Sequence, residues 1–150
     1  MKLFYAFLAL ILIPTFSACT TESNHIACFT PPSPFIFEMV NKNTGENLFT
    51  NGTYLANQIV ITDLATNTKI PYTFLSENGL NAFSISSIGW KTEKINYVIS
   101  IQDKTIFALY VDASRVSSNQ CNYTEYNQIK ITKAAYEQNT TTGIYVIKIP

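Results

Sequence analysis

Three cysteines, one histidine and ten carboxylates are the side chains from which this 150-residue chain could assemble covalent, acid–base or metal chemistry. The histidine, His25, lies in a polar stretch with nothing rigid around it to hold it near a partner. A Ser-His-Asp or Cys-His arrangement therefore has no credible base, and a His-based zinc site lacks ligands. Among the acids, Glu38, Glu46, Asp63, Glu77, Glu93, Asp103, Asp112 and Glu125 are scattered, mostly at turns. Paired-acid glycoside hydrolysis needs two of them to meet in the fold. No glycine-rich phosphate loop and no Asp-x-Asp-x-Asp calcium run is present. The sequence is read as a non-enzyme with no catalytic residues, no metal and no cofactor.

The cysteines are more informative. Lys2 supplies a positive start, and residues 3–13 form an unbroken apolar run of 11. A bilayer-spanning helix needs about 20 such residues, so the run is short for a permanent span. Pro14 interrupts it, and Ser17-Ala18 provide the small residues that a peptidase requires before its cut. Phe16-Ser17-Ala18-Cys19 fits a lipoprotein box in its last three places, with Phe16 where leucine is usual. Cys19 is accordingly expected to become a lipidated N-terminus; the competing reading is an ordinary secretory signal cut near Ala18. Removing Cys19 from an odd set of three leaves Cys28 and Cys121 to pair in an oxidising compartment. Such a bond would close a loop of about 94 residues. Two buried thiols are the alternative.

Cleavage before Cys19 leaves 132 residues, which suits a single domain. With Lys2 gone, nine basic side chains face ten acidic ones, so no basic stripe serves nucleic acid. The chain divides into a signal peptide (1–18), a lipid-anchored tether (19–34) and a domain (35–150). Prolines 31, 32 and 34 bias the end of the tether towards an extended geometry.

Within the domain, apolar residues recur with period two. Phe35, Phe37 and Met39 share one face, and Ile95, Tyr97, Ile99 and Ile101 share another. The turn Gln102-Asp103-Lys104-Thr105 leads into residues 106–111, apolar on both faces and thus central. Ile129 and Ile131 alternate with Gln128, Lys130 and Thr132, and Tyr145, Ile147 and Ile149 close the chain. Shorter candidates are 58–62, 70–75 and 80–85; Pro71 places its strand at an edge. Turns are signalled at Asn43-Thr44-Gly45, Asn51-Gly52, Ala65-Thr66-Asn67-Thr68 and Asn78-Gly79. Only Ala134-Ala135-Tyr136-Glu137 suggests a helical turn. The expected fold is all-β, an antiparallel β-sandwich of seven to nine strands, immunoglobulin-like or similar.

Three aromatics stand out as a binding surface: Trp90 in a loop after Ser86-Ser87-Ile88-Gly89, and Tyr123 and Tyr126 beyond Cys121. Exposed rings of this kind stack on sugars or anchor protein partners. Alternatively, Trp90 plugs an open end of the sandwich and the tyrosines pack beside a disulfide.

The Cys19 signal, the Cys28-Phe29-Thr30-Pro31-Pro32 segment, the Asn43-Thr44-Gly45-Glu46-Asn47-Leu48-Phe49 turn and the closing strand 143–149 together resemble small surface lipoproteins of the Bacteroidota with a β-sandwich domain. That resemblance implies a protein of the bacterial cell envelope, lipid-anchored to the outer membrane. Such proteins often carry an acidic run after the lipidated cysteine; here Glu22 is the only acid in Thr20-Thr21-Glu22-Ser23-Asn24, which leaves periplasmic and surface-facing positions both open. Two function classes follow: a structural or protein-interaction module docking on an envelope partner, or a glycan- or small-ligand-binding module using Trp90, Tyr123 and Tyr126.

Overall fold

A computed structural model describes residues 28–118 and 121–150. The expected signal peptide 1–18, the expected lipidation residue Cys19, His25 and the expected tether up to residue 27 lie outside the described residues.

Eleven strands form two packed sheets, with no α-helix among the described residues. In chain order they are β1 (Cys28–Phe29), β2 (Phe35–Asn41), β3 (Ile59–Asp63), β4 (Thr68–Lys69), β5 (Thr73–Leu75), β6 (Ala82–Ile85), β7 (Glu93–Ile101), β8 (Lys104–Ser117), β9 (Cys121–Thr132), β10 (Ala135–Gln138) and β11 (Tyr145–Ile149). The first sheet runs β1-β9-β8-β7-β3-β4, and the second runs β10-β11-β2-β6-β5. The fold is all-β and sandwich-like, as the alternating pattern requires.

Three expectations need correction. The sheets are mixed rather than purely antiparallel, because β1 runs parallel to β9 and β11 parallel to β2. Period-two patterning identifies a strand and its buried face, but carries no information about direction. Direction is legible only where a tight turn forces a hairpin, and each of these parallel pairs joins segments far apart in the chain. The strand count exceeds seven to nine because β1, β4 and β10 have two to four residues each. Pieces that short show no alternation. The single helical turn suggested around residue 135 is instead the edge strand β10, paired with β11 through Ala135–Lys148 and Gln138–Tyr145.

The core follows the pattern closely. Phe37 and Met39 of β2, Ile99 of β7, Phe107 and Leu109 of β8 and Ile147 of β11 are fully buried. Phe37 is the hub: its ring lies 5.3 Å from Phe83, 5.6 Å from Tyr145 and, across the sheets, 5.1 Å from Phe107. β8 is central in its sheet, as its two apolar faces indicate. The β7–β8 hairpin turns on Gln102 and Asp103, at φ 50° and 64°, the left-handed pair a two-residue hairpin demands.

Prolines lie at two of the five places where the chain changes sheets. Pro71 lies between β4 and β5, edge strands of opposite sheets, rather than within one edge strand. Residues 30–34 make the same kind of crossing from β1 to β2. Lacking N–H groups, prolines suit segments that leave one ladder before joining another.

Candidate functional site

The disulfide sets the local architecture. Cys28 and Cys121 are bonded, and they are register partners in the parallel β1/β9 pair. β1 is only two residues long, so the bond, together with the Thr30 N–H donating to Asn122 O at 2.9 Å, holds the strand in place. The stretch 28–34, which the sequence groups with the tether, thus carries the first strand of the six-stranded sheet.

That anchoring presents Phe29. Its ring is stacked on Trp90 at 6.0 Å, and the Arg115 guanidinium lies 4.7 Å from the ring centroid. A cation over an exposed ring is worth about 0.5–1 kcal/mol. Arg115, the chain's only arginine, does more than this. Its Nη1 donates to Thr30 O at 3.0 Å and Thr124 Oγ1 at 2.8 Å, and its Nη2 donates to Asn122 O at 3.2 Å. One planar fork therefore ties β8, β9 and the incoming chain together. Trp90 is fixed as well, with its Nε1–H donated to Ser86 O at 2.8 Å. Phe29 and Trp90 nevertheless remain 56% and 52% exposed. The residue that closes this end of the core is Ile88, which is 1% exposed. Of the two readings of Trp90, the exposed one describes its ring.

Gly89 permits the loop to sit this close. At φ +91°, a Cβ there would stand 2.9 Å from Thr124 Cγ2, 3.1 Å from the Tyr126 hydroxyl and 3.3 Å from Pro32 Cβ. The Gly89 carbonyl accepts from Thr124 Oγ1 at 2.7 Å, and its N–H donates to Glu93 Oε1 at 2.8 Å.

The two tyrosines part company. Three residues apart along a strand, they point to opposite faces. Tyr123 lies on the outer face, its hydroxyl donating to Glu125 Oε1 at 3.2 Å. Tyr126 turns inward, meets Phe35 edge-on at 5.2 Å and donates to Ser33 O at 3.1 Å. Trp90 and Tyr126 thus flank the Gly89 loop, while Tyr123 belongs to neither group.

Tyr126 forms one wall of a cleft of about 460 Å³ on the open side of the sandwich, where β9 and β10 are edge or near-edge strands. Buried Phe35 and Tyr145 lie at its base, Ile129 adds a second wall residue, and Gln138 and Thr142 are exposed at its rim. Tyr126 and Ile129 share a face because a β-bulge inserts Asn127 opposite Asp112 and Ala113. Asn127 Nδ2 secures that bulge through Ser114 Oγ at 2.8 Å and Asp112 Oδ1 at 3.3 Å. Burial raises the pKa of Tyr126 and of Tyr145, so both hydroxyls remain neutral donors at physiological pH.

Phe29, Arg115, Phe35 and Tyr145 escape sequence reasoning as site residues. The only signal for Arg115 is that it is the sole arginine, near the end of a long strand. Comparison with protein families, curated proteins and solved structures gives no match to this chain.

Proposed function

We propose that this chain is a lipid-anchored protein of the bacterial cell envelope, attached through Cys19 to the outer membrane, whose domain binds another envelope protein rather than catalysing a reaction. The fold is read as immunoglobulin-like in the broad sense of two packed sheets presenting their loops and edges to partners. The observation that carries the binding role is the open-side cleft. Its volume falls within the about 300–1,000 Å³ of ordinary ligand sites, and it combines apolar walls with a polar rim. Beyond Asn122, β9 has no strand on its outer edge among the described residues, and β10 ends the other sheet. An extended partner segment laid along that side would find free backbone groups and side-chain room together.

Five of the carboxylates support a non-catalytic reading because structural tasks occupy them. Glu38 accepts from Asn47 at 2.9 Å, Glu93 from Gly89, and Asp63 from Ala65 N at 2.9 Å. Asp112 pairs with Lys94 at 3.1 Å and Glu137 with Lys148 at 2.7 Å. The disulfide supports export, since such bonds persist in oxidising compartments.

A photo-crosslinking residue in place of Gln138 tests the binding role in intact cells. The expected result is one defined protein adduct, lost when Tyr126→Ala is added; recovery of uncrosslinked monomer alone overturns it. Cys19→Ser should abolish fatty-acid incorporation and release the protein into soluble fractions. A variant that stays membrane-bound refutes the anchor.

Glycan binding is the second reading, favoured by Tyr126 beside the Gln138 amide and Thr142 hydroxyl. Retention on a glycan array that disappears with Tyr126→Ala would establish it, and absence of retention on a broad array would remove it.

A further inference from the structure

We propose that the Phe29–Trp90 end of the domain seats on the surface of the membrane that holds the anchor, with both rings in the headgroup boundary and Lys91 and Arg115 at the lipid phosphates. This rests on the anchoring at Cys19 proposed above. It concerns a surface separate from the open-side cleft.

Reach favours this orientation. Nine residues lead from Cys19 to Cys28. Fully extended they span about 30 Å. A globular domain of this size is about 35 Å across, from a radius of gyration near 14 Å. The tether is therefore shorter than the body it holds, and it enters at β1, immediately beside Phe29. The fully inverted orientation, with β1 about 35 Å above the lipid, is therefore out of reach, and orientations that bring this end towards the membrane are favoured. A short link also raises the local concentration of a surface to about the millimolar range, so a weak membrane contact is sufficient.

The chemistry of this end suits a lipid surface as well. Two large rings are more than half exposed side by side, and aromatic side chains of this kind favour the boundary between water and acyl chains. The single donor of Trp90 is already satisfied by Ser86 O, so its ring enters that boundary without an unpaired polar group. Lys91 is exposed next to Trp90, and among the described residues no carboxylate pairs with Arg115. Of the nearby acids, Glu93 is half-buried and holds the Gly89 N–H, and Glu125 lies on the outer face of β9 with Tyr123. Leu55, exposed to a similar 53%, lies before β3 at the opposite end of the sheet, where Ile59 pairs with Ile101.

Trp90 is the only tryptophan, so its fluorescence reports this surface directly. Full-length lipidated protein is reconstituted into phosphatidylethanolamine–phosphatidylglycerol vesicles with or without brominated acyl chains, and vesicle flotation is scored alongside emission. The expected outcome is flotation, loss of roughly half the Trp90 emission to brominated lipid, and reduced quenching by acrylamide relative to soluble Cys19→Ser protein. Lys91→Glu should weaken the bromine quenching, and Leu55→Glu should leave it unchanged. Flotation without bromine quenching, or equal quenching in the two variants, overturns the seating of this face and leaves the anchor standing. Failure to float overturns the anchor and the seating with it.

Discussion

Replacing both Cys28 and Cys121 with serine should cost this domain a large part of its stability. The two residues are 93 apart in sequence. Cross-linking a loop of that length removes chain entropy from the unfolded state worth about 4.6 kcal/mol near 25 °C. Domains of this size have stabilities of about 5–15 kcal/mol, so the loss is a substantial fraction of the total. In urea, with a slope of about 2 kcal/mol per molar, the unfolding midpoint should fall by about 2 M. The slope itself should rise, because the unfolded chain without its cross-link expands and exposes more surface.

A second readout separates the global effect from a local one. Without the bond, β1 is left with two residues of pairing, the Thr30–Asn122 hydrogen bond and the Arg115 fork. Phe29 should then leave Trp90 before the sheets separate. Trp90 emission and far-ultraviolet circular dichroism should coincide in the wild type, whereas in the double variant the emission should change first. A midpoint shift below about 0.5 M with an unchanged slope would refute the entropic account. Coincident transitions in the variant would refute the weak attachment of β1.

Two other perturbations probe the same end of the molecule. Gly89→Ala combines a positive-φ penalty of about 1–3 kcal/mol with overpacking against Thr124 and Tyr126 of similar size, and calorimetry should show a fall in Tm of several degrees; an unchanged Tm would mean that the loop relaxes freely. Burial raises the pKa of Tyr97, Tyr126 and Tyr145 above the ordinary 10.0. The unfolded chain therefore loses these protons first, so stability is full below that value and falls as pH rises through the raised range. Denaturation midpoints followed with tyrosinate absorbance should show this alkaline decline, and Tyr126→Phe should reduce its slope; a flat profile would count against burial of the hydroxyls.

Much of the fold is legible in single residues. Ile95, Tyr97, Ile99 and Ile101 must lie on one face of a strand because period two leaves them no other shared side, and all four are buried. The cysteine count was equally informative: with Cys19 set apart, only one pairing remained, and it is the one present. What stayed hidden depends on neighbours distant in sequence. β1 lies beside β9 without any periodicity of its own, so Phe29 had no pattern to announce it. Arg115 acquires its role only because β1 brings Thr30 O to it. The bulge at Asn127 has no distinctive sequence mark, yet it turns Tyr126 and Ile129 to one side. By contrast, the separation of Tyr123 from Tyr126 was readable, since an odd spacing within a strand sends side chains to opposite faces.

If Cys19 carries the proposed lipid, the disulfide would also isolate the cleft from a pull on that anchor. Ser33 and Pro34, which line that cleft, belong to the same crossing segment that begins at β1. Tension on a lipid tether would reach this segment first if hydrogen bonds alone held the chain at β1. With Cys28 bonded to Cys121, the pull passes into β9 through a covalent link and is shared by the long β8–β9 ladder. Residues 30–34 lie beyond the clamp and carry none of it. Under the proposed anchoring, Tyr126 would therefore keep its 3.1 Å bond to Ser33 O while a membrane moved the domain. On this account, reduction of the bond in tethered protein should impair partner capture at Gln138 more than reduction in released protein. Equal capture in the two forms would mean that the clamp has no mechanical part in binding.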